Sequence, residues 1–374
     1  MGLAVAYSIW QYYQSTADIG FLADYGAEVI VEVARFFAGR AVHDPADDRF
    51  DIIAVMGPDE FHDGYPDAPG QGLRTNAYTN VLTAWVLARA QETVALLGQR
   101  DCHALWRRLG LQSDELTHWR RVGSRLRIDF HDGVISQFHG YDQLDEFDWT
   151  AYRNRYGNIG RLDLILAAEG DSTNRYKLSK QADVLMLFYL FSAEELRALF
   201  EHLGYSLPAE IIPRTVGYYL DRTSHGSTLS RLAHAWVLAR TDRRASWSLF
   251  AEALHADLAD AQGGTTREGV HLGAMAGTAD MVMRCYAGVE TRDDRLLLHP
   301  VLPAELTNVT FMLRYRGQPI DVELGRDRAR VFLRPCAAVP VRVCIEGAER
   351  TLTAGQGWEV DLTSAGSVTG AGAV

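Results

Sequence analysis

Ile320-Asp321-Val322-Glu323-Leu324 alternates apolar and charged residues without a break. A period of two puts the apolar side chains on one face of a pleated strand and the carboxylates on the other. Short runs of the same kind lie on either side: Leu296-Leu-Leu-His-Pro300, Val309-Thr-Phe-Met-Leu-Arg-Tyr315, Ala329-Arg-Val-Phe-Leu333 and Val341-Arg-Val-Cys-Ile345. Pro, Gly and Asp punctuate them, which is the pattern of a small antiparallel β-sandwich. Its bounds read as residues 289–363. Residues 364–374 are rich in Gly, Ala and Ser and read as a flexible tail.

Upstream, residues 1–288 read as mostly helical. Val29, Ile30, Val33, Phe36 and Phe37 fall on one helical face, and Gly39 closes the run. Val81, Leu82, Trp85 and Val86 do the same within 74–98, and Trp247, Phe250, Leu254 and Leu258 within 246–259. Between these helices lie stretches rich in Gly, Pro, Asp and His, at 56–73, 128–180, 205–228 and 261–270. Loops of such length in a compact domain usually carry function.

The chain of 374 residues is 47% hydrophobic and 23% charged, enough for a sizeable core and two domains. A net charge of −11 argues against a nucleic acid or an anionic membrane surface as partner. A small anion held by local donors stays compatible with it. The longest apolar run, Val184 to Phe191, is too short to span a bilayer. The opening stretch lacks the basic segment of a signal peptide. The four cysteines are too scattered for a disulfide framework, and no zinc or nucleotide-binding motif is present. The expectation is a cytoplasmic enzyme without a metal. Arg120, Arg121, Arg125 and Arg127 read as a solvated helix face.

Four stretches carry the chemistry. In Val55-Met-Gly-Pro-Asp-Glu-Phe-His-Asp-Gly64, a short strand (51–55) leads through a Gly-Pro turn to Asp59, Glu60, His62 and Asp63. Crowded carboxyls raise one another's pKa, and a partly buried Glu60 keeps a proton to give to a leaving-group oxygen. An acidic turn capping a helix reads equally well. Asn76 and Asn80, four apart, read as sugar ligands or, more commonly, as helix–helix hydrogen bonders. The second stretch is Lys177-Leu-Ser-Lys-Gln-Ala-Asp-Val184, where Lys180 and Gln181 can donate to hydroxyls; alternatively the lysine merely covers the core with its stem. The third stretch, Arg222 to Ser230, places His225, Gly226, Ser227 and Thr228 before a helix read at 229–239. That suits an anion site or an ordinary N-cap. A Ser-His nucleophile is the weaker reading, since no G-x-S-x-G elbow is present. In the fourth, Glu268 and His271 precede small residues that let a helix approach a neighbour or ligand closely.

Taken in order, GPDEFH (57–62), KQADV (180–184), HGSTLS (225–230) and EGVHLGAMAGT (268–278) resemble glycoside hydrolase family 65, which holds the inverting phosphorylases of maltose, trehalose and kojibiose. Gln137–Tyr141, Phe147–Trp149 and Gly170–Tyr176 are similar too, so the resemblance covers nearly the whole chain. It implies a mainly α fold. The later helices of an (α/α)6 barrel would occupy 1–288, followed by the C-terminal β-sandwich. The family's N-terminal sandwich and early barrel have no counterpart in this sequence. The chain therefore reads as N-terminally incomplete, with a second copy or the missing half as partner.

The resemblance also implies roles. Glu60 matches the general acid. Inorganic phosphate, the co-substrate in place of any other cofactor, attacks the anomeric carbon of an α-linked glucose disaccharide from the opposite face and gives β-glucose 1-phosphate. Lys180 and Gln181 match glucose contacts, while His225, Gly226, Ser227, Thr228 and His271 match the phosphate site. The family's Tyr-Tyr-Glu-Pro run reads Tyr218-Tyr-Leu-Asp221 here. A hydrolase of the same family needs a carboxylate to activate water, for which Asp221 and Glu268 are the candidates. A non-catalytic carbohydrate-binding fragment is the third reading.

Overall fold

The computed structural model describes residues 1–98, 102–224, 228–260 and 265–362. The chain forms two compact units, one of residues 1–6 with 25–237, the other of 7–24 with 238 onward.

The first unit is helical and is organised by the helix Ala77–Leu97. This helix is apolar on almost every side, so it lies inside rather than on the surface. Val81, Leu82, Trp85, Val86 and Leu87 are all buried. It packs against the helices Ala27–Arg40, Ser113–Gly123 and Asp183–Leu190. Asn76 caps its start, with Oδ1 accepting the Thr79 N–H at 3.0 Å. Strands β1 (Ala41–Asp44) and β2 (Arg49–Ile52) form an antiparallel hairpin. The strand expected at 51–55 stops at Ile52, and Val55 instead bridges Leu73. That bridge closes 56–72 into a loop.

Two stretches read as loops contain short elements. Within 128–180 lie the small hairpin β3 (Phe130–His131) and β4 (Val134–Ile135) and the helices Trp149–Tyr156 and Leu162–Ala168. Phe61, Phe147, Ile159, Leu162, Leu166 and Leu178 form a core cluster there. Within 205–228 the helix Ile211–Leu220 tolerates Pro213 because it sits in the first turn, where its missing N–H leaves no bond unmade. Turn-forming residues at the ends of such short helices hid them. Arg127 departs from the solvated face read for it. Its guanidinium meets Asp51 at 2.8 Å, Asp47 at 2.6 Å and Asp44 at 3.0 Å, closing the β1–β2 hairpin. Burial pushes the Asp51 carboxyl up, but hydrogen bonds from Arg74, Thr75 and Arg127 outweigh it and leave Asp51 below the ordinary range.

The second unit carries the helices Arg243–Leu254 and Leu272–Asp280, then the β-sandwich. Its strands are β5 (Val289–Arg292), β6 (Arg295–Leu298), β7 (Asn308–Tyr315), β8 (Gln318–Gly325), β9 (Arg328–Leu333), β10 (Val341–Ile345), β11 (Ala348–Leu352) and β12 (Gly357–Asp361). They form sheets of order β11-β10-β6-β5 and β12-β9-β8-β7. Ile320, Val322 and Leu324 face inward and share one core with Leu296, Leu298, Val343 and Ile345 of the other sheet. Asp321, between them, faces out and holds Arg334 at 2.7 Å. One pairing differs from the expected antiparallel sandwich: β6 and β10 run parallel. The β7–β9 meander belongs to the opposite sheet, so the chain re-enters the first sheet in the direction in which it left. The tail read at 364–374 lies outside the described residues.

Candidate active site

The loop that begins at Gly57 meets the start of the helix Asp183–Leu190, and two aspartates join them. The Asp59 backbone N–H donates to Asp183 Oδ1 at 2.5 Å. In the other direction, the Lys180 backbone N–H donates to Asp59 Oδ1 at 3.1 Å. Asp183 Oδ2 accepts from Asn76 Nδ2 at 2.7 Å, and the Asp183 N–H donates to Gln137 Oε1 at 3.0 Å. Both aspartates are buried. A Cβ on Gly57 would stand 1.6 Å from Asp183 Oδ2, so the approach requires glycine at that position.

The rest of this loop is also tied inward. His62 is buried with Nε2 3.0 Å from the Tyr176 carbonyl, and burial pushes its pKa down to about 4, which keeps the ring neutral. Asp63 accepts from Asn174 Nδ2 at 2.6 Å, and Thr173 Oγ1 donates to the Phe61 carbonyl. Glu60 is the exception. Its side chain is 74% exposed, and Lys180 Nζ lies 3.0 Å from its Oε2. This corrects the partly buried Glu60 expected from the sequence. The carboxyls that burial shifts are its neighbours. Desolvation pushes Asp183 up to about 7, and desolvation plus the Asp183 charge pushes Asp59 up as well.

Lys180 is only 22% exposed, with its ammonium on Glu60 rather than free in solvent. Gln181 is half-buried. The segment 179–180 runs beside the third stretch: the Ser179 N–H donates to the Arg222 carbonyl and the Ser224 N–H to the Ser179 carbonyl, each at 2.9 Å. Ser230 Oγ reaches the Lys180 carbonyl at 3.3 Å. Segments 57–63, 179–183 and 222–224, with Ser230, are thus brought together in one unit. His225, Gly226 and Ser227 lie outside the described residues, as do the side chains of Thr228 and Glu268. Asp221 ends the helix Ile211–Leu220 and is exposed. Asn76 and Asn80 serve the fold: Asn80 Nδ2 donates to the Arg127 carbonyl at 2.7 Å.

His271 belongs to the second unit. Asp257 grips it twice, Oδ2 accepting its backbone N–H at 2.9 Å and Oδ1 lying 2.5 Å from Nδ1. Sequence reasoning missed Asp183, Gln137 and Asp257. Asp183 had a signal, an acid in the first turn of an otherwise apolar helix; Asp257 had none. Among the described residues no group of His, Cys, Asp and Glu could hold a metal, and no helix is long and apolar enough to cross a membrane.

The central catalytic domain of glycosyl hydrolase family 65 matches residues 1–280, and the family's C-terminal domain matches 289–352. The chain belongs to glycosyl hydrolase family 65. An uncharacterised glycosyl hydrolase of Mycobacterium tuberculosis is 50% identical to this family 65 chain over 96% of its length, but only 27% of that protein is covered. Trehalose 6-phosphate phosphorylase of Lactococcus lactis is 35% identical, over 86% of this chain and 40% of its own. Kojibiose phosphorylase of Halothermothrix orenii is 32% identical, over 92% and 42%. The chain therefore spans less than half the length of these relatives. A solved structure of a candidate kojibiose phosphorylase from human microbiome superposes with a TM-score of 0.77 at 19% identity, covering 96% of this chain and 49% of that one. The family 65 fold is that of the expectation: helices of a partial barrel followed by a β-sandwich.

Proposed function

We propose that this chain carries the acid and the glucose subsite of an inverting disaccharide phosphorylase. The observation that supports this most is the state of the Gly57 loop. Of the titratable side chains between Asp59 and Asp63 only Glu60 is exposed: Asp59 and His62 are buried, and Asp63 is held by Asn174. Glu60 is then the group able to give a proton to the glycosidic oxygen, and Lys180 beside it the group able to bind sugar hydroxyls. Phosphate, already an anion, needs no carboxylate base and attacks the anomeric carbon from the opposite face. The C–O bond to the acceptor sugar breaks as the bond to phosphate forms, the configuration inverts and β-glucose 1-phosphate leaves. His225, Gly226, Ser227, Thr228 and His271 are the proposed phosphate contacts. Two relatives at 35% and 32% identity are named as phosphorylases, of trehalose 6-phosphate and kojibiose, which favours an α-linked glucose disaccharide as substrate.

The test is to incubate the chain with a panel of such disaccharides, with and without inorganic phosphate. β-Glucose 1-phosphate formed only with phosphate supports the reading. Free hexoses released without phosphate overturn it in favour of a hydrolase with Asp221 or Glu268 as base. Sugar binding without turnover overturns it in favour of a carbohydrate-binding protein.

A further inference from the structure

We propose that Asp59 and Asp183 form a reciprocal clasp that sets Glu60 against Lys180, so that both aspartates are positioning residues for the proton donor and the glucose subsite. Each carboxylate accepts a backbone N–H from the other's loop: Asp59 N–H to Asp183 at 2.5 Å, Lys180 N–H to Asp59 at 3.1 Å. The two pinned amides belong to the residue before Glu60 and to Lys180 itself. The side chains of Glu60 and Lys180 then meet at 3.0 Å in front of the clasp.

Burying two carboxylates side by side is costly unless their lone pairs are used. A neutral amide at 183 would accept the Asp59 N–H equally well. What the carboxylate adds is a second acceptor oxygen, which takes Asn76 Nδ2 from the cap of the central helix. Through it the clasp is anchored to the central helix of the unit. Gln137 holds the other side through the Asp183 N–H. Gly57 leaves the space that lets the loops close. Among the described residues the phenols of Tyr78, Tyr141 and Tyr219 also interact with the pair, and none of them adds a cation to it. The arrangement uses two buried carboxyls to fix two short backbone segments, and those segments carry Glu60 and Lys180.

The catalytic part of this inference rests on the function proposed above; the clasp itself does not. Three variants of the full chain test it: Asp183→Ala, Asp183→Asn and Gly57→Ala, the last of which displaces the Asp183 carboxylate without removing a polar group. Amide hydrogen exchange at Asp59 and Lys180 is read first, then steady-state kinetics. In Asp183→Ala both amides should exchange about tenfold faster or more, although Lys180 makes no bond to residue 183. Its kcat for phosphorolysis should fall by a similar factor with the KM for phosphate unchanged, and Asp183→Asn, which keeps the acceptor for the Asp59 N–H but not the one for Asn76, should recover part of it. If Asp183→Ala does not fold, Gly57→Ala should show the same paired loss. A Lys180 amide that keeps its protection in both variants overturns the clasp. A KM for phosphate that rises in step with the loss of kcat, or an asparagine that gives no rescue, overturns the positioning role. If the wild-type chain turns over no disaccharide, the proposed function falls, and the exchange data alone decide the clasp.

Discussion

Asp257 holds His271 by two of its nitrogens, the backbone N–H and Nδ1, with one carboxylate. The ring cannot turn without breaking the second contact. The hydrogen bond from His271 also keeps the Asp257 carboxyl below its ordinary range. If His271 binds phosphate, Asp257→Ala should raise the KM for phosphate about tenfold while the KM for disaccharide changes little. Asp257→Asn, which keeps one acceptor, should fall between. Equal effects on both KM values in phosphorolysis assays would show that Asp257 serves only the fold.

Glu60→Gln removes the proton but preserves shape and exposure. Its kcat on ordinary disaccharides should fall by about 10²–10⁴. A glucosyl donor whose leaving group needs no protonation should be spared. Circular dichroism and melting temperature should match the wild type, since the side chain is mostly solvated. Near-wild-type turnover in the variant would remove Glu60 from the mechanism.

The contribution of the Asp59–Asp183 pair to stability should fall as pH rises from about 4 to 7. Asp183 has its pKa pushed from 3.8 up to about 7 in the folded chain, and Asp59 shifts the same way. Across that window Asp183 binds more of a proton in the folded state than in the unfolded one, so its contribution makes unfolding easier as pH increases, while His62, whose pKa burial lowers to about 4, acts the other way. Three pKa units correspond to about 4 kcal/mol as an upper bound. Urea titrations at pH 5 and pH 8 should show a smaller drop for Asp183→Asn than for the wild type; equal drops would mean that Asp183 does not carry the proton.

Arg127→Ala leaves Asp51 buried with one of its cations gone, and Asp44 and Asp47 without their shared partner. Arg74 still reaches Asp51 at 2.5 Å, which limits the damage. A loss of about 2–4 kcal/mol in unfolding free energy is expected. Arg127→Lys should recover only part of it, because an ammonium cannot span three carboxylates in fork geometry. Chemical denaturation measures both.

The sandwich and the central helix were legible because their signal is local. Alternation at Ile320–Leu324 names the inward side chains directly, and the apolar density around Trp85 needs no partner to be read. The chemistry-bearing stretches were legible as positions on the chain. What spacing could not reveal was depth. Asp59 and Glu60 are adjacent in sequence, yet one is enclosed and the other open, a difference set by Asp183 more than a hundred residues away. Arg127 was misread for the same reason: the carboxylates that claim it come from a hairpin far upstream. Asp257 lies in a helix-like stretch where nothing local marks it as a partner of His271.

The parallel pair β6–β10 has a consequence for how the sandwich assembles. Its two strands stand on either side of the whole β7–β9 meander, so no hairpin can bring them together. The meander can form by local zippering. β6 must wait for β10 to return, and that long loop closure carries its entropy before any contact rewards it. Topology favours the β7–β9 meander before the β6–β10 pair, while the β5–β6 and β10–β11 hairpins are local. A chain stopped before Val341 would present Leu296, Leu297 and Leu298 along an unpaired strand edge, a site for sticking to other chains during synthesis.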